Sequence, residues 1–176
     1  MNIAEHVAFD LGKSVAYFTL EMTSFQVVQR LLSSMAKVDI QKIRQGFLSE
    51  RDFPALTTAA SKIAAGQLFI DDSPALYVAD LRTKALLLKA EIDIQLIIID
   101  YLQLLRPKLL RDGQPLDGSE LTLEIKALAK ELMIPIILVV PTSLRRRKMD
   151  RPRIEDFKEL DPVLRDADVV GLLFRR

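Results

Sequence analysis

The chain has 176 residues, with 25 basic and 24 acidic side chains and a formal net charge of +1. Its hydrophobic fraction of 49% and mean hydropathy of +0.16 fit a folded domain with a substantial core and exclude a disordered chain. The absence of cysteine excludes disulfides and thiolate metal sites, a single histidine, His6, argues against a zinc centre or a histidine-based triad, and no apolar run reads as a membrane span or signal peptide.

Asn2–Asp10 reads as the end of a helix already in progress, with Gly12 as its C-cap and His6 as a surface or interface residue. A strand follows over about 14–19. Phe25, Val28, Leu31, Leu32 and Met35 recur at helical spacing and predict a helix from Ser24 to Ala36 with that stripe inward. Asp39 to Arg44 reads as a short helical turn closed by Gly46. Ser49 is a good N-cap, and Asp52 completes a capping box for a helix through Ala64. Leu68-Phe69-Ile70 is a short strand that stops at Asp71-Asp72-Ser73-Pro74, and a helix runs from roughly Val78 to Ile92.

Leu96-Ile97-Ile98-Ile99-Asp100 is the most informative run: four apolar residues suited to a buried parallel strand, then a carboxylate at its end. Residues 106–118, rich in proline, glycine and charge, form the clearest loop. Ser119 to Leu132 is a helix with Leu121, Ile125, Leu128 and Leu132 on one side, and Pro135–Val140 is the next buried strand. After a basic loop, Ile154–Leu164 reads as turns or a short helix and Ala167–Phe174 as a last strand. Strands alternating with helices predict βαβ units, and so one α/β domain over 1–176 with a mainly parallel sheet flanked by helices.

Ligands of such sheets bind at the carboxyl ends of the strands, where an Asp commonly holds a magnesium-bound water beside a nucleotide. The usual companion, a Gly-x-x-x-x-Gly-Lys-Ser/Thr phosphate loop, does not occur in these 176 residues. Gly12-Lys13-Ser14 supplies its last three letters, but Val7 stands at the first glycine and Asp10 would repel phosphate. A strand rather than a helix follows, so the triplet reads as a helix-to-strand turn. The charge is uneven: residues 101–176 hold 15 basic and 12 acidic side chains, most of the surplus lying in Arg145-Arg146-Arg147-Lys148, with Arg151 and Arg153 nearby. Such a cluster is either a footprint for a phosphate backbone or a solvated loop.

At Tyr17-Phe18-Thr19-Leu20-Glu21-Met22 and Ile97–Leu104 the chain resembles the C-terminal, RecA-like motor domain of bacterial replicative DNA helicases of the DnaB type. Phe69–Pro74, Ile125–Leu132 and Asp166-Ala167-Asp168-Val169-Val170 extend the likeness over almost the whole chain. The resemblance implies a hexameric ring that hydrolyses ATP between subunits and translocates on single-stranded DNA. It places Glu21 at the carboxylate that polarises the attacking water and Asp100 at the Walker B aspartate that binds the nucleotide's magnesium. Arg175 falls at an arginine reaching the neighbouring subunit's phosphates. The channel loops would be about 106–118 and 144–153, making Arg145, Arg146, Arg147, Lys148, Arg151 and Arg153 sequence-independent DNA contacts.

The departures carry as much weight. The family's first strand and phosphate loop would precede Met1, Pro141 stands where the family carries a phosphate-sensing glutamine, and little of its Arg-Glu-Ser-Gly-Ser survives near Lys158–Pro162. The expectation is a partial RecA-like P-loop NTPase fold lacking the first core strand and phosphate loop. Such a chain would be a fragment or degenerate paralogue of a replicative helicase without ATPase activity alone. No cofactor is expected for the isolated chain; ATP and magnesium belong to the parent family. The other reading is a non-catalytic single-stranded DNA-binding or helicase-docking regulatory protein. The expected partners are single-stranded DNA, further copies of the chain or intact helicase subunits, but no membrane, and the expected location is cytoplasmic. Loss of a central strand is expected to leave a gap in the sheet or two apolar edges.

Overall fold

The computed structural model describes residues 1–106, 118–141, 153–154 and 161–173. Val15–Thr19 (β1), Leu68–Asp71 (β2), Leu96–Asp100 (β3) and Ile136–Leu138 (β4) form one parallel sheet in the order β2-β1-β3-β4. Alternation sends successive side chains of each strand to opposite faces. Val15, Tyr17, Leu96 and Ile98 pack against Ala4 and Ala8 and against Val27 and Leu31. Ala16, Phe18, Ile97 and Ile99 pack on the other side with Leu81, Ala85, Ile125 and Leu128. Full burial of Ile97 and Ile99 contributes about 1.5–3 kcal/mol each.

The first face is covered by α1 (Asn2–Glu5), which runs directly into a π-helical segment (His6–Asp10), and by α2 (Ser24–Ala36). The inward residues of α2 differ from the expected stripe. Phe25 is 69% exposed, and Val27, one turn before Leu31, faces the sheet instead. Spacing alone leaves the rotation of a helix open by one position; the packing partner chooses it. Next come α3 (Ile40–Gln45) and α4 (Asp52–Ala65). Gly46 closes α3 at φ 74°, in the left-handed region that favours glycine. The Ser49–Asp52 pairing forms, but as half of a box: the Ser49 amide and hydroxyl both donate to the Asp52 carboxylate, and α4 begins at Asp52 itself.

The second face is covered by α5 (Val78–Ile92) and α6 (Gly118–Leu132), with Leu121, Ile125, Leu128 and Leu132 of α6 all buried as their spacing predicted. A short helix, α7 (Asp161–Asp166), lies against α6. Two expectations are corrected. Of the two outcomes expected for the sheet, the internal gap does not occur, because β2 and β1, β1 and β3, and β3 and β4 are each paired directly; among the described residues its open edges are β2 and β4. Residues 167–173 form no strand: they make no ladder hydrogen bond, and Val169 and Leu173 are 88% and 99% exposed. Strand propensity has no effect without a neighbouring edge to pair with. Most of the 106–118 loop, the basic loop and residues 174–176 lie outside the described residues. Among the described residues no helix is long and apolar enough to cross a membrane.

Candidate functional site

The site is built where β1 and β3 end together. Their register pairs Thr19 with Asp100, and the Leu20 amide donates to the Asp100 carbonyl at 2.8 Å. Both strands therefore deliver their last residues to one edge. Beyond β1 the chain turns through Leu20-Glu21-Met22, and the Thr19 hydroxyl closes this turn by donating to the Met22 carbonyl at 2.9 Å. Thr23 then caps α2, its hydroxyl accepting from the Gln26 amide while the Gln26 side chain accepts from the Thr23 amide. The Ser24 amide is taken by Asp72 at 2.7 Å. Glu21 is thus not the helix cap. It is an exposed carboxylate in the β1–α2 turn, on the same edge as Asp100.

Asp100 has a partner that motif reading missed. The Tyr17 hydroxyl donates to its Oδ2 at 2.5 Å. Tyr17 is paired in register with Ile98, and Asp100 lies two residues further on the same face of the neighbouring strand, so the phenol reaches diagonally along the sheet. Burial, and then the hydrogen bond to Asp100, push the Tyr17 hydroxyl well above the usual tyrosine range. It stays protonated and remains a donor. The available signal was a tyrosine within a fully buried strand, on the same parity as a carboxylate ending the adjacent one.

Beside this edge, Asp71 at the end of β2 pairs with Lys84 at 2.5 Å, and Lys84 also donates to the Ser73 hydroxyl at 2.7 Å. Burial alone would raise the Asp71 carboxyl; Lys84 and Ser73 outweigh it and hold that carboxyl below the ordinary range. Past β3, the Leu102 amide donates to the Val139 carbonyl at 3.0 Å, and the Gln103 side-chain amide reaches the Pro141 carbonyl at 3.4 Å. Arg106 stacks 5.8 Å from the centre of the Tyr77 ring.

The Gly12-Lys13-Ser14 triplet is structural. Gly12 adopts φ 62° just beyond the first helix, and the Lys13 amide returns to the Val7 carbonyl. Ser14 is buried and donates its hydroxyl to the Gln67 side chain. The described residues do not by themselves fit a magnesium nucleotide. Asp100 already receives a phenol, Asp71 and Asp72 are engaged by Lys84 and by an amide, and no group of three metal-binding side chains occurs among the described residues. Of the basic candidates, Arg153 is described and exposed. Arg145, Arg146, Arg147, Lys148, Arg151 and Arg175 lie outside the described residues.

This fold and edge have relatives. The chain is 36% identical over 178 aligned residues to the replicative DNA helicase DnaC of Bacillus subtilis, covering 99% of this chain and 39% of that protein. It is 35% identical to the replicative DNA helicase DnaB of Geobacillus stearothermophilus, again over 39% of its length, and 38% identical to that of Rickettsia typhi over 33%. The chain thus spans well under half of the curated relatives it matches. Among solved structures, an ATPase domain superposes with a TM-score of 0.84 at 27% identity, covering 98% of this chain and 62% of that one. A DnaB-like replicative helicase studied for its interactions with primase superposes at 0.78 and 26% identity, covering 91% and 40%. The sequence model of the DnaB-like helicase C-terminal domain matches residues 1–176. By that match, and by a parallel sheet that brings Asp100 and Glu21 to one edge, the chain belongs to the DnaB-like helicase C-terminal domain family.

Proposed function

We propose that these residues act as a helicase-derived scaffold that does not turn over MgATP on its own and binds single-stranded DNA weakly through the basic segment around Arg145–Arg153. The observation that carries this reading is the state of the strand edge. Asp100 and Glu21 occupy the positions that the family resemblance assigns to magnesium and water chemistry, yet the Asp100 Oδ2 already holds the Tyr17 hydroxyl. The glycine triplet nearest in pattern to a phosphate loop is committed to a helix-to-strand turn, with Gly12 in the left-handed region and the buried Ser14 hydroxyl bonded to Gln67. A carboxylate alone does not replace the ring of backbone donors that phosphates require.

The basic segment supports DNA contact through charge rather than base reading, because Arg and Lys at that density neutralise phosphates without reporting sequence. A second use, docking onto intact helicase subunits or onto further copies, is favoured by the half-exposed apolar edge at β4.

The test is a calorimetric titration of the purified chain with MgATP, using Asp100→Ala as control, beside an anisotropy titration of a labelled single-stranded oligonucleotide at rising salt. The expected result is no saturable nucleotide binding, and DNA binding that falls steeply with salt and ignores base sequence. Replacing Arg145, Arg146, Arg147 and Lys148 together with Ser should remove most of the DNA binding. Steady ATP hydrolysis abolished by both Glu21→Gln and Asp100→Ala would overturn the scaffold reading.

A further inference from the structure

The ladder between β3 and β4 uses alternate residues of the outer strand. The Pro135 carbonyl accepts from Ile97, and the Val139 amide donates to the Ile99 carbonyl while its own carbonyl accepts from Leu102. By the alternation of a parallel ladder, the amides and carbonyls of Ile136, Leu138 and Val140 point away from β3, toward the open edge. The side chains of those three residues pack on the α5–α6 core, and Ile137 packs on the opposite core. The edge strand is therefore apolar on both faces, as an interior strand is. It has none of the charges with which natural edges avoid pairing. The other edge differs: β2 ends in Asp71, which Asp72 follows, and carries the Asp71–Lys84 ion pair.

A matching segment exists on the same molecule. Residues 169–173 read Val-Val-Gly-Leu-Leu, apolar on both parities, and make no ladder bond although Val169 and Leu173 are almost fully exposed. Just before them the chain is held on α6, where the Thr122 hydroxyl donates to Asp166 at 2.5 Å and Lys126 pairs with Asp168. From that anchorage, residues 169–173 do not pair with their own β4. Among the described residues, one molecule thus displays an acceptor edge and a donor segment, each unpaired. Two copies can satisfy both at once, since reciprocal exchange about a two-fold axis is a closed arrangement that uses both β4 edges and both donor segments.

We propose that the β4 edge, Ile136–Val140, is an interface that takes residues 169–173 of a second copy as an added strand, and that the exchange is mutual. This deepens the self-association part of the function proposed above. The nucleotide and DNA titrations test that reading separately, so either can fail without the other.

Light scattering across a concentration series is expected to show a species near twice the 19.9 kDa chain mass. Val139→Lys, which sets a charge on an exposed position of the edge, should weaken that dimer at least tenfold with an unchanged circular dichroism spectrum. Should this variant unfold, Leu173→Lys on the donor segment provides the same test. Because the chain has no cysteine, only introduced thiols react. Mixed Val139→Cys and Leu173→Cys single variants should cross-link to each other with a short bis-maleimide. A monomer at all concentrations, or a dimer indifferent to both lysine variants, overturns the proposal. So does cross-linking of Val139→Cys mainly to itself, which means edge-to-edge pairing. Closure within one chain of the double cysteine variant, which means the segment pairs with its own edge, overturns it equally.

Discussion

β3 and β4 are written in nearly the same alphabet, Leu-Ile-Ile-Ile-Asp against Ile-Ile-Leu followed by Val-Val, yet they hold opposite positions in the sheet. β3 lies between two strands with Ile97 and Ile99 fully buried, whereas Ile136, Ile137 and Leu138 are only partly covered. The ends differ as well. β3 finishes in a carboxylate gripped by a buried phenol at 2.5 Å, while the chain beyond β4 is tied to Gln103 by an exposed bond of 3.4 Å. An apolar branched run thus specifies an interior strand, but whether the interior exists around it depends on its neighbours. The candidate site follows the better-covered strand.

Substitution within the two strands breaks this comparison most directly. Ile99→Ala is expected to destabilise the chain by about 2–5 kcal/mol in urea denaturation, because a fully buried side chain leaves a cavity. Ile137→Ala should cost less than half as much. Equal losses at the two positions would mean that β4 is as enclosed in solution as β3.

The strand ends give the next contrast. Tyr17→Phe removes the donor to Asp100 and should cost about 1 kcal/mol. It also has a pH signature. The Tyr17 hydroxyl titrates above the ordinary tyrosine value of 10.0 in the folded chain, so the unfolded chain loses this proton first as pH rises. Its contribution is therefore complete below about pH 10 and fades above it. Denaturation midpoints measured across that range should decline in the parent chain, and the part owed to Tyr17 should vanish in Tyr17→Phe.

At the β2 edge the sign reverses. Asp71 is held below its ordinary value of 3.8, so the unfolded chain takes up this proton first as pH falls. Its contribution is present above about pH 4 and is lost toward lower pH. Asp71→Asn should flatten that part of the acid limb of a stability–pH curve. A limb unchanged by the substitution would remove the ion pair from the account of this edge. The smallest effect is expected for Gln103→Ala, below about 0.5 kcal/mol, since its bond is long and solvent-exposed. A larger loss would show that β4 is anchored more firmly than its geometry indicates.

Much of this architecture was legible in the chain itself. The ranges of α2, α5 and β3 follow from apolar spacing and breaker residues as predicted, because 3.6-residue periodicity and a continuous apolar run are local properties. Glu21 and Asp100 were identifiable as candidates because motif order is a property of sequence. The Tyr17–Asp100 bond was not, because it joins residues 83 positions apart and depends on the parallel register of β1 and β3. The inward turn of Val27 in place of Phe25 likewise waited on the face that α2 meets.

The family, the apolar strands, the closure of the short α3 turn at Gly46 and the uneven charge were determined by the sequence alone, each resting on chemistry within a few residues or on an ordered set of motifs. Tertiary structure decided what stands beside what: β1 against β3 without a gap, a phenol on the Asp100 carboxylate, and an interior-type strand at an open edge. It also left the strand-like residues 169–173 unpaired. Strand pairing is a relation between distant segments, and the propensity of one segment does not specify its partner.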